Sequence, residues 1–163
     1  MQKITPFLWF DTQAEEAATF YVSLFDNSEI TRVARQGGGS AGSAGDVMSV
    51  SFSLDGVEFH ALNAGPVFTF NEAVSFFIAA ETQEEIDRLW DALTANGGEP
   101  SRCGWLRDRF GLSWQVVPPV LQGLLADPDP ATAGRVMTAM LAMDKIIIAD
   151  LHAAAAGPQT APA

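Results

Sequence analysis

Cysteine occurs once in the 163 residues, as Cys103, and histidine twice, as His60 and His152. A single thiol excludes an intramolecular disulfide and any C-x-x-C redox or zinc motif. Basic residues are also scarce. Nine Lys and Arg stand against twenty Asp and Glu, a formal net charge of −11, so a polyanion meets this surface at an electrostatic penalty and nucleic acid is not an expected partner. Every apolar stretch is broken by charged residues before it reaches the roughly 18 residues of a membrane span, so no membrane partner is expected. The opening Met1-Gln2-Lys3-Ile4-Thr5-Pro6 lacks the apolar core of a secretory signal, so a cytoplasmic location is expected. Neither G-x-x-x-x-G-K-[ST] nor H-E-x-x-H occurs, so the P-loop and zinc-hydrolase signatures are absent. What is abundant is core material: 48% of the residues are hydrophobic, enough for one globular domain.

Ile4 to Phe10 reads as a strand, which Asp11-Thr12 stops. Thr12 and Glu15 have capping-box spacing, and Ala17, Phe20, Tyr21 and Leu24 recur at helical intervals. Glu29 to Gln36 reads as a second strand and Met48 to Leu54 as a third. In the third, Met48, Val50, Phe52 and Leu54 share one face, and Ser49, Ser51 and Ser53 the other. Asp55-Gly56 signals a hairpin, returning Val57 to Asn63 antiparallel. The unit is strand, helix, strand, strand, strand.

The pattern then begins again. Val74 to Ala80 is strand-like, and Thr82, Gln83 and Glu85 stand 70 residues after Thr12, Gln13 and Glu15. Two capping boxes at one offset mark an internal repeat. Ile86, Leu89, Trp90 and Leu93 form the stripe of the second helix, which Asn96-Gly97-Gly98 ends in left-handed conformations. A short segment from Ser101 to Leu106, a turn at Asp108 to Gly111 and the strand Leu112 to Val117 complete a compressed second copy. From Pro118-Pro119 the pattern is helical, with Val136, Met140 and Met143 on one face and Met137 in the same methionine series, read as flexible core. Residues 157–163 read as a frayed tail.

Few residues stand out chemically. Gly37-Gly38-Gly39-Ser40-Ala41-Gly42 spells G-x-G-x-x-G, but a dinucleotide needs that loop to open a helix, and the alternation from Met48 onward is that of a strand. It reads as a loop joining two strands. His152 falls on the solvated face of a helix from Ala149 to Ala156. His60 lies within a half-buried strand, and Cys103 beside Gly104 and Trp105 reads as packing, with Arg102 near enough in sequence to favour a thiolate. Trp9, Trp90, Trp105 and Trp114 read first as core anchors.

Thr5-Pro6-Phe7-Leu8-Trp9-Phe10, Glu15-Glu16-Ala17 to Phe20-Tyr21, Phe68-x-Phe70-Asn71-Glu72-Ala73, and above all Cys103-Gly104-Trp105-Leu106 to Phe110-Gly111-x-Ser113-Trp114-Gln115-Val116-Val117-Pro118 closely resemble the PhnB-like branch of the vicinal oxygen chelate superfamily. The resemblance covers residues 3 to about 152. That superfamily holds glyoxalase I, bleomycin-resistance proteins and extradiol dioxygenases, and this branch often carries the name 3-demethylubiquinone-9 3-methyltransferase. The resemblance implies an α+β fold of tandem βαβββ modules forming a cup-shaped mixed sheet, with module one at 3–63, module two at 67–118 and a helical extension at 119–156. It implies a homodimer by analogy.

In metal-dependent relatives the ligands point into the cup from the first and last strands of each module. The positions carried over are Thr5, His60, Ser75 and Gln115, and Thr5 and Ser75 again lie 70 residues apart. Hydroxyls and an amide are weak neutral ligands for a divalent ion, so no cofactor is expected. His60, Glu58, Glu72 and Gln115 are the residues that could hold a metal if the strand register differs. The lining implied for the cup is Thr5, Phe7, Trp9, Ser49, Ser51, Ser53, His60, Ser75, Trp105, Ser113 and Gln115, which suits a small, partly apolar ligand. The implied function is small-molecule binding of bleomycin-resistance type. The alternatives are a metal-dependent glyoxalase-like lyase, isomerase or dioxygenase and the methyltransferase of the branch name, for which no cofactor-binding motif is present.

Overall fold

The computed structural model describes residues 2–37 and 45–157. The chain divides into two compact units, Met1–Phe70 and Asn71–Ala163. The first contains β1 (Phe7–Phe10), α1 (Ala14–Val22), β2 (Glu29–Arg35), β3 (Val47–Leu54) and β4 (Val57–Asn63). Its sheet runs in the order β1-β4-β3-β2. β1 lies parallel to β4, and the other pairs are antiparallel. The hairpin between β3 and β4 turns on Asp55 and Gly56, both with positive φ (46° and 76°), as a tight two-residue loop demands.

One face of this sheet is core. Leu8, Phe10, Val50, Phe52, Leu54, Phe59 and Ala61 are buried, opposite the small inner face of α1, Ala14, Ala17 and Ala18 with Tyr21. Phe52 and Phe59 stack with centroids 5.4 Å apart, and Tyr21 lies 6.4 Å from Phe52. Alternation in β3 follows the expected pattern, except that Met48 is exposed at the strand's start.

The second unit repeats the arrangement with β5 (Phe76–Ala79), α2 (Gln83–Thr94), β6 (Glu99–Pro100), β7 (Trp105–Arg107) and β8 (Ser113–Val117). Its sheet runs β5-β8-β7-β6, with β5 parallel to β8. The register matches as well as the topology. Phe7 stands opposite His60 in the first unit, and Phe77 opposite Gln115 in the second. Ile86, Leu89, Trp90 and Leu93 are the buried stripe of α2, as their spacing predicts. Three helices follow: α3 (Val120–Leu125), α4 (Pro130–Leu141) and α5 (Ile148–Ala156). They enclose Val117, Leu121, Val136, Ile146 and Leu151, with Met140 and Met143 packed against that cluster.

The two capping boxes part company. At α2 the motif forms: Thr82 is the N-cap and accepts from the Glu85 amide at 3.1 Å. At α1 it does not, because Thr12 lies outside the helix and no side chain of the N-cap residue Gln13 caps it. Asn63, at the end of β4, supplies the acceptor instead, its Oδ1 taking the Ala14 amide at 2.8 Å. A tertiary neighbour has replaced the local cap.

Other boundaries also shift. The first strand of each unit is shorter than its apolar run, beginning at Phe7 and Phe76. Asn96 and Gly97 take the left-handed conformation after α2, and Gly98 does not. Met137 is exposed rather than core. The glycine-rich stretch, from Gly38 on, and the tail beyond Gly157 lie outside the described residues. No helix among the described residues is long and apolar enough to cross a membrane.

Candidate functional site

Each sheet has a helix-covered face and an open face, and the open faces carry most of the residues marked by sequence. In the first unit the strand register sets Arg32, Ser51, His60 and Phe7 in one row across β2, β3, β4 and β1. Ser51 Oγ and His60 Nδ1 are 2.9 Å apart. Phe7, 62% exposed, holds its ring 5.9 Å from the imidazole. The next row is Ala34, Ser49, Leu62 and Trp9. Trp9 donates its indole proton to the Gly65 carbonyl at 2.9 Å and meets Phe68 edge to face at 4.9 Å. Ser53 stands opposite Glu58. Thr5 precedes β1, one residue before the Pro6 carbonyl that accepts from the His60 amide at 2.9 Å.

In the second unit Gln115 Nε2 donates to Ser75 Oγ at 2.9 Å. Trp105 stands opposite Gln115, and Arg107 opposite Ser113. Phe77, the repeat of Phe7, is likewise half exposed, at 50%. A pocket of about 190 Å³ opens here, lined by Glu72, Glu99, Ser101, Trp105, Arg107 and Ser113 among others. Arg107 is bound to Glu99 at 2.7 Å.

The four positions carried over from metal-binding relatives are therefore engaged in different ways. Within the second unit Ser75 and Gln115 bond to each other. Within the first, His60 pairs with Ser51 and not with Thr5. A hydroxyl and a carboxamide bring no charge to offset a cation. No group of three or more His, Cys, Asp or Glu among the described residues is arranged to hold a metal ion. The Glu58 backbone bonds to the Gln2 side chain and pairs with Ser53 across the ladder, and Glu72 lies on the pocket wall.

Residues 38–42, Gly-Gly-Ser-Ala-Gly, also spell G-x-S-x-G. A nucleophile elbow needs a strand-to-helix turn, and the flanking elements here are the antiparallel strands β2 and β3. Two residues to which the sequence reading gave no bonding role prove structural. Asp108 is buried and accepts from Trp114 Nε1 at 2.9 Å. Gln83 donates to the Ile146 carbonyl at 3.2 Å and accepts from the Ile148 amide at 2.9 Å. The offset between Gln13 and Gln83 was visible, but its partners were not. His152 is exposed on α5.

Comparison with known proteins agrees with this geometry. A model of the family described as 3-demethylubiquinone-9 3-methyltransferase matches residues 2–117. A PhnB protein from Bacillus cereus, assigned the same methyltransferase name, is 39% identical, with 72% of this chain and 99% of that one covered at a TM-score of 0.67. A protein from Pseudomonas aeruginosa shares 22% identity over 70% of this chain and 95% of its own, at a TM-score of 0.57. The fosfomycin resistance protein FosX from Listeria monocytogenes shares only 14% identity, but 77% of this chain and 98% of that one align at a TM-score of 0.52. A search of the curated proteins found no match. With the repeated βαβββ topology, these findings place the chain in the PhnB-like family that bears the name 3-demethylubiquinone-9 3-methyltransferase, within the glyoxalase/bleomycin-resistance fold.

Proposed function

We propose that this protein binds a small, partly apolar molecule on the open face of a sheet and does so without a resident metal. The observation that carries this reading is the makeup of the open faces. Phe7 and Phe77 expose large aromatic surfaces at equivalent positions, beside an imidazole, a carboxamide and several hydroxyls. A monomer seldom leaves such mixed surface open without a use for it. The donors present within either unit support binding by shape and hydrogen bonds better than firm retention of a divalent cation.

The family name suggests methyl transfer, which requires a site for S-adenosylmethionine; no glycine loop among the described residues opens a helix to support one. A cytoplasmic homodimer completes the proposal, and sedimentation of the purified chain tests the dimer.

The main experiment is a survey of small molecules by thermal shift and by the indole and imidazole resonances of Trp9, Trp105 and His60, on protein purified without chelators. Saturable shifts at these residues with substoichiometric Zn, Ni, Mn and Fe are expected. Stoichiometric metal that is required for turnover would overturn the metal-free reading. Heat and displacement on titration with S-adenosylmethionine would restore the methyltransferase.

A further inference from the structure

Ser113, 1% exposed, lines the 190 Å³ pocket, and its hydroxyl has no hydrogen-bond partner among the described residues. Buried polar groups are almost always paired, so an orphan in the lining of an open hollow marks the place of something that pairs with it. On the wall stands Glu72, whose carboxylate has no ion-pair partner among the described residues. Arg107 does not neutralise it, being held by Glu99 at 2.7 Å. Trp105 supplies an indole wall.

The internal repeat shows what is missing. Glu72 stands 70 residues after Gln2, and Ser113 stands 55 after Glu58, the same spacing as Gln115 after His60. In the first unit the Gln2 side chain bonds to the backbone of Glu58, the counterpart of Ser113. Its Nε2 donates to the Glu58 carbonyl at 3.1 Å, and its Oε1 accepts from the Glu58 amide at 3.0 Å. A carboxamide is donor and acceptor at once, whereas an ionised carboxylate only accepts. In the second unit the corresponding position holds an acceptor-only glutamate, on the wall of the pocket. The element absent is a donor, and it must balance a negative charge.

Resting on the small-molecule reading above, we infer that this pocket binds a small organic cation, a primary ammonium on a compact apolar body. The ammonium donates to the Glu72 carboxylate and to Ser113 Oγ, and the body lies on the Trp105 indole. A volume of about 190 Å³ is below the roughly 300 Å³ at which drug-sized sites begin, so the ligand is a few-carbon or single-ring amine. The chain's net charge of −11 draws cations and repels the carboxylate counterparts.

The test uses the full chain and three probes of one shape: benzylammonium chloride, benzyl alcohol and sodium benzoate. The readout is the indole resonance of Trp105, assigned with Trp105→Phe. Benzylammonium is expected to shift it saturably and benzoate to leave it unmoved. Glu72→Gln, at an exposed position that leaves the fold intact, is expected to weaken the binding about tenfold or more, and Ser113→Ala several-fold. Equal saturation by benzyl alcohol, unaltered affinity in Glu72→Gln, or no saturation by benzylammonium overturns the inference. A survey that moves Trp9 and His60 but never Trp105 overturns it alone; one that moves none of the three overturns the functional reading with it.

Discussion

Asp108 receives the indole proton of Trp114 on Oδ2 at 2.9 Å, while its Oδ1 takes the amides of Phe110 and Leu112 at 2.8 and 3.0 Å. The carboxylate thus ties the β7–β8 turn to the buried face of β8, directly behind Ser113. Asp108→Ala leaves these donors without their acceptor, and the expected loss is roughly 3–5 kcal/mol in urea unfolding. Asp108→Asn keeps Oδ1 but turns an amide N–H toward an indole N–H. It should fall between the two, with Trp114 emission shifted to the red.

Gly104 adopts φ +83°, and an added Cβ would come within 2.7 Å of the Val116 carbonyl oxygen. Its amide and that of Cys103 bond to the carbonyls of Asp144 and Met143 at 2.7 and 2.8 Å, so neither backbone can retreat without breaking these links. Gly104→Ala is expected to cost about 3 kcal/mol. A loss below 1 kcal/mol by the same unfolding measurement would show that the turn relaxes freely.

Stability should respond to pH through one surface pair. The hydrogen bond from Lys145, and next that from Gln83, hold the Asp87 carboxyl below its ordinary value of 3.8. The hydrogen bond to Asp87 holds Lys145 above 10.5. A lowered carboxyl contributes above its unfolded value and loses that contribution as pH falls through the folded one. A raised ammonium contributes below its unfolded value and loses it as pH rises through the folded one. Lys145→Met should therefore flatten both the acid limb below pH 4 and the alkaline limb above pH 10.5, by a small, salt-sensitive amount. Asp129, lowered chiefly by its bond from Thr132, preserves part of the acid limb in that variant. Urea midpoints measured across pH decide it.

Ser113→Ala should act in the opposite sense to Asp108→Ala. Removing an unpartnered buried hydroxyl relieves its desolvation cost, so the ligand-free protein is expected to gain about 1 kcal/mol. A loss of stability would mean that the hydroxyl already has a partner when the chain is free.

Local chemistry wrote much of the fold into the sequence. The serine alternation of β3, the Asp55-Gly56 hairpin and the stripe of α2 are short-range patterns, and each side chain's face follows from its own strand or helix period. The 70-residue repeat carries the topology because equivalent segments meet equivalent neighbours. The α1 cap was not legible: Thr12 and Thr82 share the Thr-Gln-x-Glu pattern, and at α1 it is Asn63, arriving from β4, that takes the Ala14 amide. Nor was the bond between Ser51 and His60, which depends on the register between two strands.

The sequence by itself determined the two repeated units and the residues on their open faces, since period and turn chemistry act within a few residues. Only the tertiary structure decided which of those residues pair and which are left over: His60 with Ser51, Gln115 with Ser75, and Ser113 with none among the described residues. Hydrogen bonding between strands depends on angstrom distances that no spacing along the chain encodes.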